Sequence, residues 1–378
     1  MRATAQISLP SRAVGAARRG SVIVVVLVMI MLASLMLVKF MESSSVELTL
    51  ATREADRERL RADAYSALET FLAVMAEIKA VDSDRLNAPA QGWDDPYGYA
   101  EESPREGVQV DFAITDESGK LSLPSLDFEE LVELCQVLGL GEVDARRFAD
   151  GLFGWTKEDH VTQDIDADPA AYERDDPPVT VPKRSLRSWD ELRSVRVARE
   201  YVYDETGALT PFGTALRENL SLYVYEGANI NALAPALGLA RGWDETQMQQ
   251  INAYREGLGP RPPGAPTWFR NIEEVTTVLG ANADLEGLTA EAKLLRVDVT
   301  VREGAASMVL RALVALDDSV ELPQAAEPAS GEATPPADAA QTEERLDYPF
   351  RILELIETSG PPPAVLTDEE ALSDAPSL

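Results

Sequence analysis

The run of residues from Val22 to Val38 carries no charged side chain, and it constrains this chain more than any other feature. A membrane-spanning helix needs about 17–25 predominantly apolar residues, and a helix is the only single segment that satisfies its own backbone in lipid. The residues before the run include no acid and these basic side chains: Arg2, Arg12, Arg18 and Arg19. The imbalance predicts a cytoplasmic N-terminus and an exported remainder.

The apolar run favours a retained anchor over a removed signal peptide. A signal peptide has a shorter apolar core and small residues at a cleavage site on its far side. Here Lys39, Phe40, Met41 and Glu42 follow the run instead. We expect the anchor to present these side chains to lipid: Val22, Val25, Leu27, Ile30, Leu35 and Val38.

The sequence after the anchor predicts a continuing helix. Residues 42–79 contain neither Pro nor Gly. Apolar residues recur there at steps of three and four, the period of a helix with one buried face: Leu60, Ala64, Leu68, Phe71, Met75 and Ile78. One long helix is therefore expected to begin in the membrane and to pack on a globular region. Two helices with a loose joint are the alternative.

Composition excludes several functional classes. The formal net charge of −31 disfavours binding to phosphate backbones, so we expect no nucleic acid partner. The only cysteine, Cys135, allows no intramolecular disulfide and has the apolar neighbours of a buried residue. The only histidine, His160, excludes multi-histidine metal sites, and no G-x-S-x-G, H-E-x-x-H or phosphate-binding glycine loop is present. A binding or structural role is the default.

The exported part alternates between strand and helix patterns, which predicts an α+β fold. Residues 108–114, 294–301, 308–316 and 350–356 read as strands, the middle two joined at Gly304 as a hairpin. Asp127 and Glu130 form a helix start, and short helices with Gly-containing turns follow over residues 127–155 and 246–279. A small antiparallel sheet built from early and late strands, with helical insertions between them, is expected.

Five short segments, in this order and after this N-terminus, resemble the GspK-type minor pseudopilins of bacterial type II secretion systems. The junction Arg19-Gly20 before the apolar run is similar to a prepilin peptidase site. The other segments lie at residues 114–121 (ITDESGKL), 153–168 (FGW followed by DIDAD), 188–195 (SWDELRSV) and 224–231 (VYEGANIN). The resemblance covers about residues 18–356.

The resemblance implies a pseudopilin fold: a long N-terminal helix packed on a small antiparallel sheet, with inserted SAM-like helical domains. The expected divisions are a basic leader (1–20), a transmembrane and amphipathic helix (21–80), the first part of the sheet (105–125), a first helical insertion with an acidic loop (126–220), a second helical domain (221–288), C-terminal strands (289–358) containing a disordered insertion (321–344), and a disordered tail (359–378).

The resemblance also implies a function. It implies cleavage after Gly20, N-methylation of Ser21 and no enzymatic activity. The chain would be a tip subunit that initiates a periplasmic pseudopilus and supports export of folded proteins across the outer membrane. Its partners would be other minor pseudopilins, the major pseudopilin, prepilin peptidase and inner membrane lipid, with the C-terminal part in the periplasm. Most pseudopilins carry Glu five residues after the cleavage point, whereas GspK-type subunits lack it; here Val25 stands there.

An acidic stretch is the candidate metal site. Calcium takes carboxylate and carbonyl oxygens from flexible loops. The family resemblance implies that similar proteins bind calcium. The side chains that could supply ligands here are Asp164, Asp166, Asp168, Asp175 and Asp176. A solvated acidic loop is the equal alternative, and no cofactor is otherwise expected.

Other polar and aromatic residues are interpreted structurally. His160 is expected at the surface, Asn229 and Asn231 in turns, and Trp155 and Trp189 in the core.

Three other functions remain open from the residues. A minor type IV pilin would share the processing and the anchor. A bitopic periplasmic binding module could use its small helical hairpins, although the acidic flank of Leu138-Gly139-Leu140-Gly141 disfavours DNA. A tethered hydrolase would need paired carboxylates on opposing strands, which the sequence does not supply.

Overall fold

The computed structural model describes residues 17–82, 85–174, 178–259, 261, 264–280, 282–304, 306–323 and 350–359. The chain divides into two compact units, Met1–Arg59 and Leu60–Leu378. Of the predicted segments, leader residues 1–16, insertion residues 324–344 and tail residues 360–378 lie outside the described residues. Glu321, in the predicted insertion, pairs through its backbone with Val224, and Ser359, in the predicted tail, ends a strand.

The first helix, α1, runs from Ala17 to Val81, so the prediction of one unbroken helix is confirmed. In the first unit it carries the apolar run, and it is the one helix among the described residues that is long and apolar enough to cross a membrane. The charged stretch that follows has local ion pairs, such as Lys39 with Glu42 at 3.2 Å.

The second unit combines the end of α1 with short helices and strands. Its further helices are α2 (Pro96–Tyr99), α3 (Phe128–Val137), α4 (Glu142–Thr156), α5 (Pro169–Tyr172), α6 (Arg196–Val202), α7 (Pro211–Asn219), α8 (Pro235–Ala240), α9 (Glu245–Arg255) and α10 (Ile272–Leu279). Its strands are β1 (Gln109–Asp116), β2 (Leu121–Ser122), β3 (Leu220–Ser221), β4 (Ala228–Asn229), β5 (Leu288–Thr289), β6 (Leu294–Glu303), β7 (Ala306–Ala315) and β8 (Arg351–Ser359).

Four of these strands form an antiparallel sheet in the order β1-β6-β7-β8. The early strand β1 pairs with the late strand β6, with Asp116 opposite Leu295. The pairs β2–β3 and β4–β5 are short and parallel. The predicted sheet of early and late strands is thus confirmed, and the helical segments are inserted between β1 and β6.

One face of the sheet packs on the second half of α1. Alternate residues of β6, such as Val297 and Val299, are fully buried with Phe71 and Met75 of the helix, because successive strand side chains point to opposite faces. The predicted apolar stripe of the helix is therefore its buried face.

Charged side chains connect the same helix segment to two strands of the sheet. Arg105 bridges Asp63 of α1 at 2.9 Å and Glu303 of β6 at 2.8 Å. Arg61 contacts Glu357 of β8 at 2.8 Å. Exposed pairs add little stability, so we assign them to orientation of the helix across the strands.

The helical segments share one hydrophobic cluster, which extends over both of the helical regions expected at 126–220 and 221–288. Phe148 and Leu152 of α4 belong to the same cluster as Leu237 of α8 and Ile251 of α9. A pair of helices this short cannot bury its own apolar face, so the two hairpins bury theirs together.

Helix starts follow the local signals. Asp127 accepts a hydrogen bond from the backbone of Glu130, and the Glu130 side chain accepts one from the backbone of Asp127, which is the predicted capping box of α3. Asp244 and Gln247 form the same arrangement at α9.

Candidate functional site

The anchor residues are exposed along α1. Their side chains are between 52% and 62% exposed: Val22, Val25, Leu27, Ile30, Leu35 and Val38. An apolar surface of this length is costly in water and favourable in lipid. Gly20 and Ser21 lie in the helical backbone at its start, while their side chains are outside the description, so cleavage and methylation there stay predictions.

A buried polar cluster joins the sheet to the helical region. The amide Nδ2 of Asn229, which is fully buried, donates to Asp116 Oδ2 at 2.6 Å and to the carbonyl of Asn87 at 2.9 Å. Ser118 donates through its backbone N at 2.9 Å and through Oγ at 2.5 Å to Asp116 Oδ1. Its Oγ in turn accepts a hydrogen bond from Lys293 N at 2.9 Å. We call these residues the polar junction.

The Asp116 carboxylate is surrounded by hydrogen-bond donors of the polar junction. Although the residue as a whole is half-buried, its carboxylate accepts hydrogen bonds from Ser118 and Asn229, both of which are fully buried. Burial raises the pKa of Asp116 to about 6, against hydrogen bonds from those two residues that lower it.

A second asparagine continues the junction into the helical region. Asn231 donates through Nδ2 to the carbonyls of Phe269 and Ala290, both at 3.0 Å, and its Oδ1 accepts from Phe269 N at 2.8 Å. Both asparagines thus satisfy backbone groups, but only Asn231 lies in a turn as predicted. Asn229 lies in β4 and also binds the Asp116 carboxylate. Four other parts of the chain, at residues 87, 116, 269 and 290, meet at these two amides.

The backbone of the junction is packed closely. A Cβ added to Gly119 would lie 2.5 Å from the carbonyl oxygen of Ala232, so only glycine fits at this position of the ITDESGKL segment. Beside it, the buried Glu117 is paired with Lys120 at 3.1 Å and lies 3.6 Å from Arg296. The segments at 114–121 and 224–231, which carried the family resemblance, therefore lie against each other.

The acidic loop, residues 158–168, is held by an arginine of α4. Arg147 Nε donates to Asp164 Oδ2 at 2.6 Å, and its Nη2 lies 3.4 Å from Asp166 Oδ2. Its Nη1 donates to Glu200 Oε2 of α6 at 2.6 Å. The backbone N of Asp166 and the Arg147 guanidinium lower the pKa of Asp164.

A buried carboxylate holds the same loop from the interior. Asp150 Oδ2 accepts hydrogen bonds from Gln163 N and Asp164 N, both at 2.9 Å, and Oδ1 lies 2.8 Å from His160 Nε2. The His160 ring stacks on Phe128 at a centroid distance of 5.7 Å. His160 was expected at the surface but is half-buried, because its ring contacts both the Asp150 carboxylate and the Phe128 ring.

The described residues do not fit the predicted calcium site. The carboxylates of Asp164 and Asp166 contact Arg147, and Asp168 Oδ1 caps α5 by accepting from Ala170 N at 2.8 Å. Over the described ranges no three acidic, histidine or cysteine side chains converge on a position for a metal. Asp175 and Asp176 lie outside those ranges, and calcium binding stays a prediction.

An open cleft of about 330 Å³ lies beside the acidic loop, lined by Phe128, Arg146, Arg147, Asp150, Gln163 and Asp164. Its charged groups are paired with one another or with neighbours, as Arg146 is with Glu129 at 2.9 Å. No nucleophile with an adjacent base lines it.

The prediction of a buried position is confirmed for Cys135 and Trp155, whereas Trp189 is only partly buried. Cys135 is fully buried and Trp155 is buried. Burial also raises the pKa of the Cys135 thiol, which makes it unreactive. Trp189 is half-buried, with the Arg217 guanidinium 5.9 Å from its ring.

Arg147 and Asp150 were not singled out from the sequence. The sequence feature that could have indicated Arg147 is the pair Arg146-Arg147 inside a strongly acidic chain. An arginine in such a setting is a candidate for pairing with several carboxylates.

Comparisons with known proteins agree with these segments. The family described as "Type II secretion system (T2SS), protein K" matches residues 117–218, from the polar junction through α7. No curated protein sequence matches significantly. The fold is similar to a chain of the GspK-GspI-GspJ complex from the enterotoxigenic Escherichia coli type 2 secretion system, at 13% identity and a TM-score of 0.50, covering 82% of this chain and 99% of that one. The predicted resemblance and the predicted α+β pseudopilin fold are confirmed.

Proposed function

We propose that this chain, a GspK-type minor pseudopilin by the match of residues 117–218 and by its fold, is the tip subunit of a periplasmic pseudopilus. In this role it initiates assembly of the pseudopilus and supports export of folded proteins across the outer membrane. It acts through binding and carries out no reaction of its own.

The carrying observation is the absence of any charge along the anchor. Residues 22–38 contain no acid, and Val25 stands where most pseudopilins have Glu. In a fibre, that Glu neutralises the terminal amine of a neighbouring subunit, because an unpaired charge in lipid is costly. A subunit without it has no means of docking onto one ahead, which suits the end of the fibre.

The partners follow from the same role. The similar solved structure is a complex with GspI and GspJ, and we propose equivalent minor pseudopilins as this chain's neighbours. The major pseudopilin, prepilin peptidase and inner membrane lipid complete the set. The arginines before the anchor support a cytoplasmic N-terminus and a periplasmic second unit.

Processing is tested by N-terminal mass spectrometry of the chain from its native membrane. We expect a mature N-terminus at Ser21, N-methylated, because Gly20 follows basic residues and precedes the anchor. An intact Met1 start would contradict the pseudopilin role, and cleavage beyond Val38 would contradict the anchor.

The tip position is tested at Val25. We expect Val25→Glu to reduce secretion, because the new carboxylate lets the subunit enter the shaft and so depletes initiation. Val25→Leu is the matched control and should secrete normally, since it keeps the anchor apolar. Immunogold labelling should place wild-type chain at fibre ends. Labelling along the shaft, or equal secretion by both variants, would rule the tip position out.

A further inference from the structure

We infer that the acidic loop is fixed by the Arg147 guanidinium in place of a calcium ion, so that its structure is independent of calcium. The inference rests on how the carboxylate oxygens are used, on which of them are buried, and on how the loop backbone is held.

Both carboxylate oxygens of Asp164 and one each of Asp166 and Asp168 already have partners. Calcium requires six to eight oxygen ligands at about 2.3–2.6 Å. Asp164 Oδ2 accepts from Arg147 Nε at 2.6 Å, and Oδ1 accepts from Asp166 N at 2.9 Å. Asp168 Oδ1 accepts from Ala170 N. A cation placed among these groups would displace a guanidinium that stays charged at any physiological pH.

The Arg147 guanidinium contacts the loop carboxylate that is least accessible to water, whose charge most needs a partner. The Asp164 side chain is 21% exposed, whereas those of Asp166 and Glu200 are 59% and 52% exposed. Of the two loop carboxylates, the half-buried Asp164 takes a contact of 2.6 Å and the more exposed Asp166 a longer one of 3.4 Å. Glu200, which belongs to α6 and not to the loop, also takes one of 2.6 Å. Water solvates the negative charges of the exposed Asp166 and Glu200, so a divalent ion is not required to balance them.

The loop backbone is also held without metal. Asp150 on α4 accepts from Gln163 N and Asp164 N, one helical turn after Arg147. Lys183 Nζ donates to the carbonyl of His160 at 3.1 Å. A rigid helix therefore presents both a cation and an anion to the loop, at fixed positions.

The test is proteolysis of the full-length chain in detergent. Lys157 and Lys183 are the lysines that bound the acidic loop, and endoproteinase Lys-C cleaves after lysine without needing calcium. Cleavage after each is measured by mass spectrometry in EDTA and in about 10 mM calcium, roughly tenfold above the weakest dissociation constants of extracellular calcium modules. Unfolding is followed by tryptophan fluorescence in the same two buffers.

For wild type we expect equal cleavage rates and equal Tm in both buffers. Arg147→Ala should be cleaved about tenfold faster, because the loop opens more often once its ion pairs with Arg147 are lost. Arg147→Lys should fall between, since it keeps the charge without the fork geometry. Arg146→Ala is the matched control: its side chain pairs with Glu129 and Glu142 and not with the loop, so cleavage should match wild type.

Two results would overturn the inference. One is calcium protecting the wild-type chain, seen as about tenfold slower cleavage or a Tm higher by several degrees. The other is a folded Arg147→Ala chain cleaved at the wild-type rate. If Arg147→Ala does not fold, the two-buffer comparison on wild type and Arg147→Lys still decides.

Discussion

The side-chain amide of Asn229 donates a hydrogen bond of 2.6 Å to the carboxylate of Asp116, which ends β1. The same amide reaches the carbonyl of Asn87, in the segment that follows α1. One fully buried side chain thus connects the long helix, the sheet and the helical region.

Removing this amide should destabilise the second unit. Asn229→Ala removes the partner of Asp116 Oδ2 and of the Asn87 carbonyl, although Ser118 still donates to Asp116 Oδ1. We expect a loss of about 2–3 kcal/mol in the free energy of unfolding at pH 7. Urea titration measures it. Asn282→Ala, at an exposed asparagine, is the control and should change stability by less than about 0.5 kcal/mol. Equal effects would show that the junction bond is not stabilising.

The raised pKa of Asp116 predicts a pH dependence. The folded-state pKa of about 6 lies above the ordinary 3.8, so the folded state binds this proton more tightly than the unfolded state. The contribution of Asp116 to the free energy of unfolding should therefore fall by roughly 2–3 kcal/mol as pH rises from about 4 to about 6, and stay level above.

Asp116→Asn isolates this contribution, because it removes the titrating group. The variant is expected to be less stable overall, since an amide cannot accept at both positions. The stability difference between wild type and variant should nevertheless change between pH 4 and pH 6.5. A difference independent of pH would mean that Asp116 titrates normally.

The close approach at Gly119 should make its replacement costly. A Cβ there meets the Ala232 backbone at 2.5 Å, and we expect Gly119→Ala to lower the free energy of unfolding by about 1–3 kcal/mol. Gly141→Ala is the control, because the nearest atom to its added Cβ is 3.9 Å away, and it should cost about 0.5 kcal/mol. Thermal unfolding compares the two, and a tolerated Gly119→Ala would argue against the packing described.

The packing of α1 on the sheet predicts a large effect at Phe71. This side chain is fully buried, with its ring 6.4 Å from that of Phe112 on β1. Phe71→Ala should cost about 3–5 kcal/mol, from lost burial and the cavity left behind. Glu69→Ala, exposed on the same helix, should be close to neutral. A small effect at Phe71 would mean that the helix is not packed through this face.

Features set by neighbouring residues could be predicted from the sequence. The capping box of Asp127 and Glu130 depends on residues three apart, and the hairpin around Gly304 on one alternating segment following another. A sheet that combines early and late strands was also predicted, from the alternating segments at residues 108–114 and 294–316, whereas the specific pairing of β1 with β6 was not.

Features set by distant residues could not. Arg147 binds Glu200, and Asn229 binds Asp116, across long intervals that no period or spacing encodes. The shared hydrophobic cluster of the two helical hairpins was missed for the same reason: each hairpin shows an apolar face, but not what covers it.

The order of strands also affects how the protein is made. β6 and β7 are synthesised after the whole helical region, yet they cover the apolar face of α1, which is made first. Contacts between segments so far apart form slowly. During synthesis, Leu68, Phe71 and Met75 therefore lack this cover until β6 and β7 have been made, more than 200 residues after the helix itself.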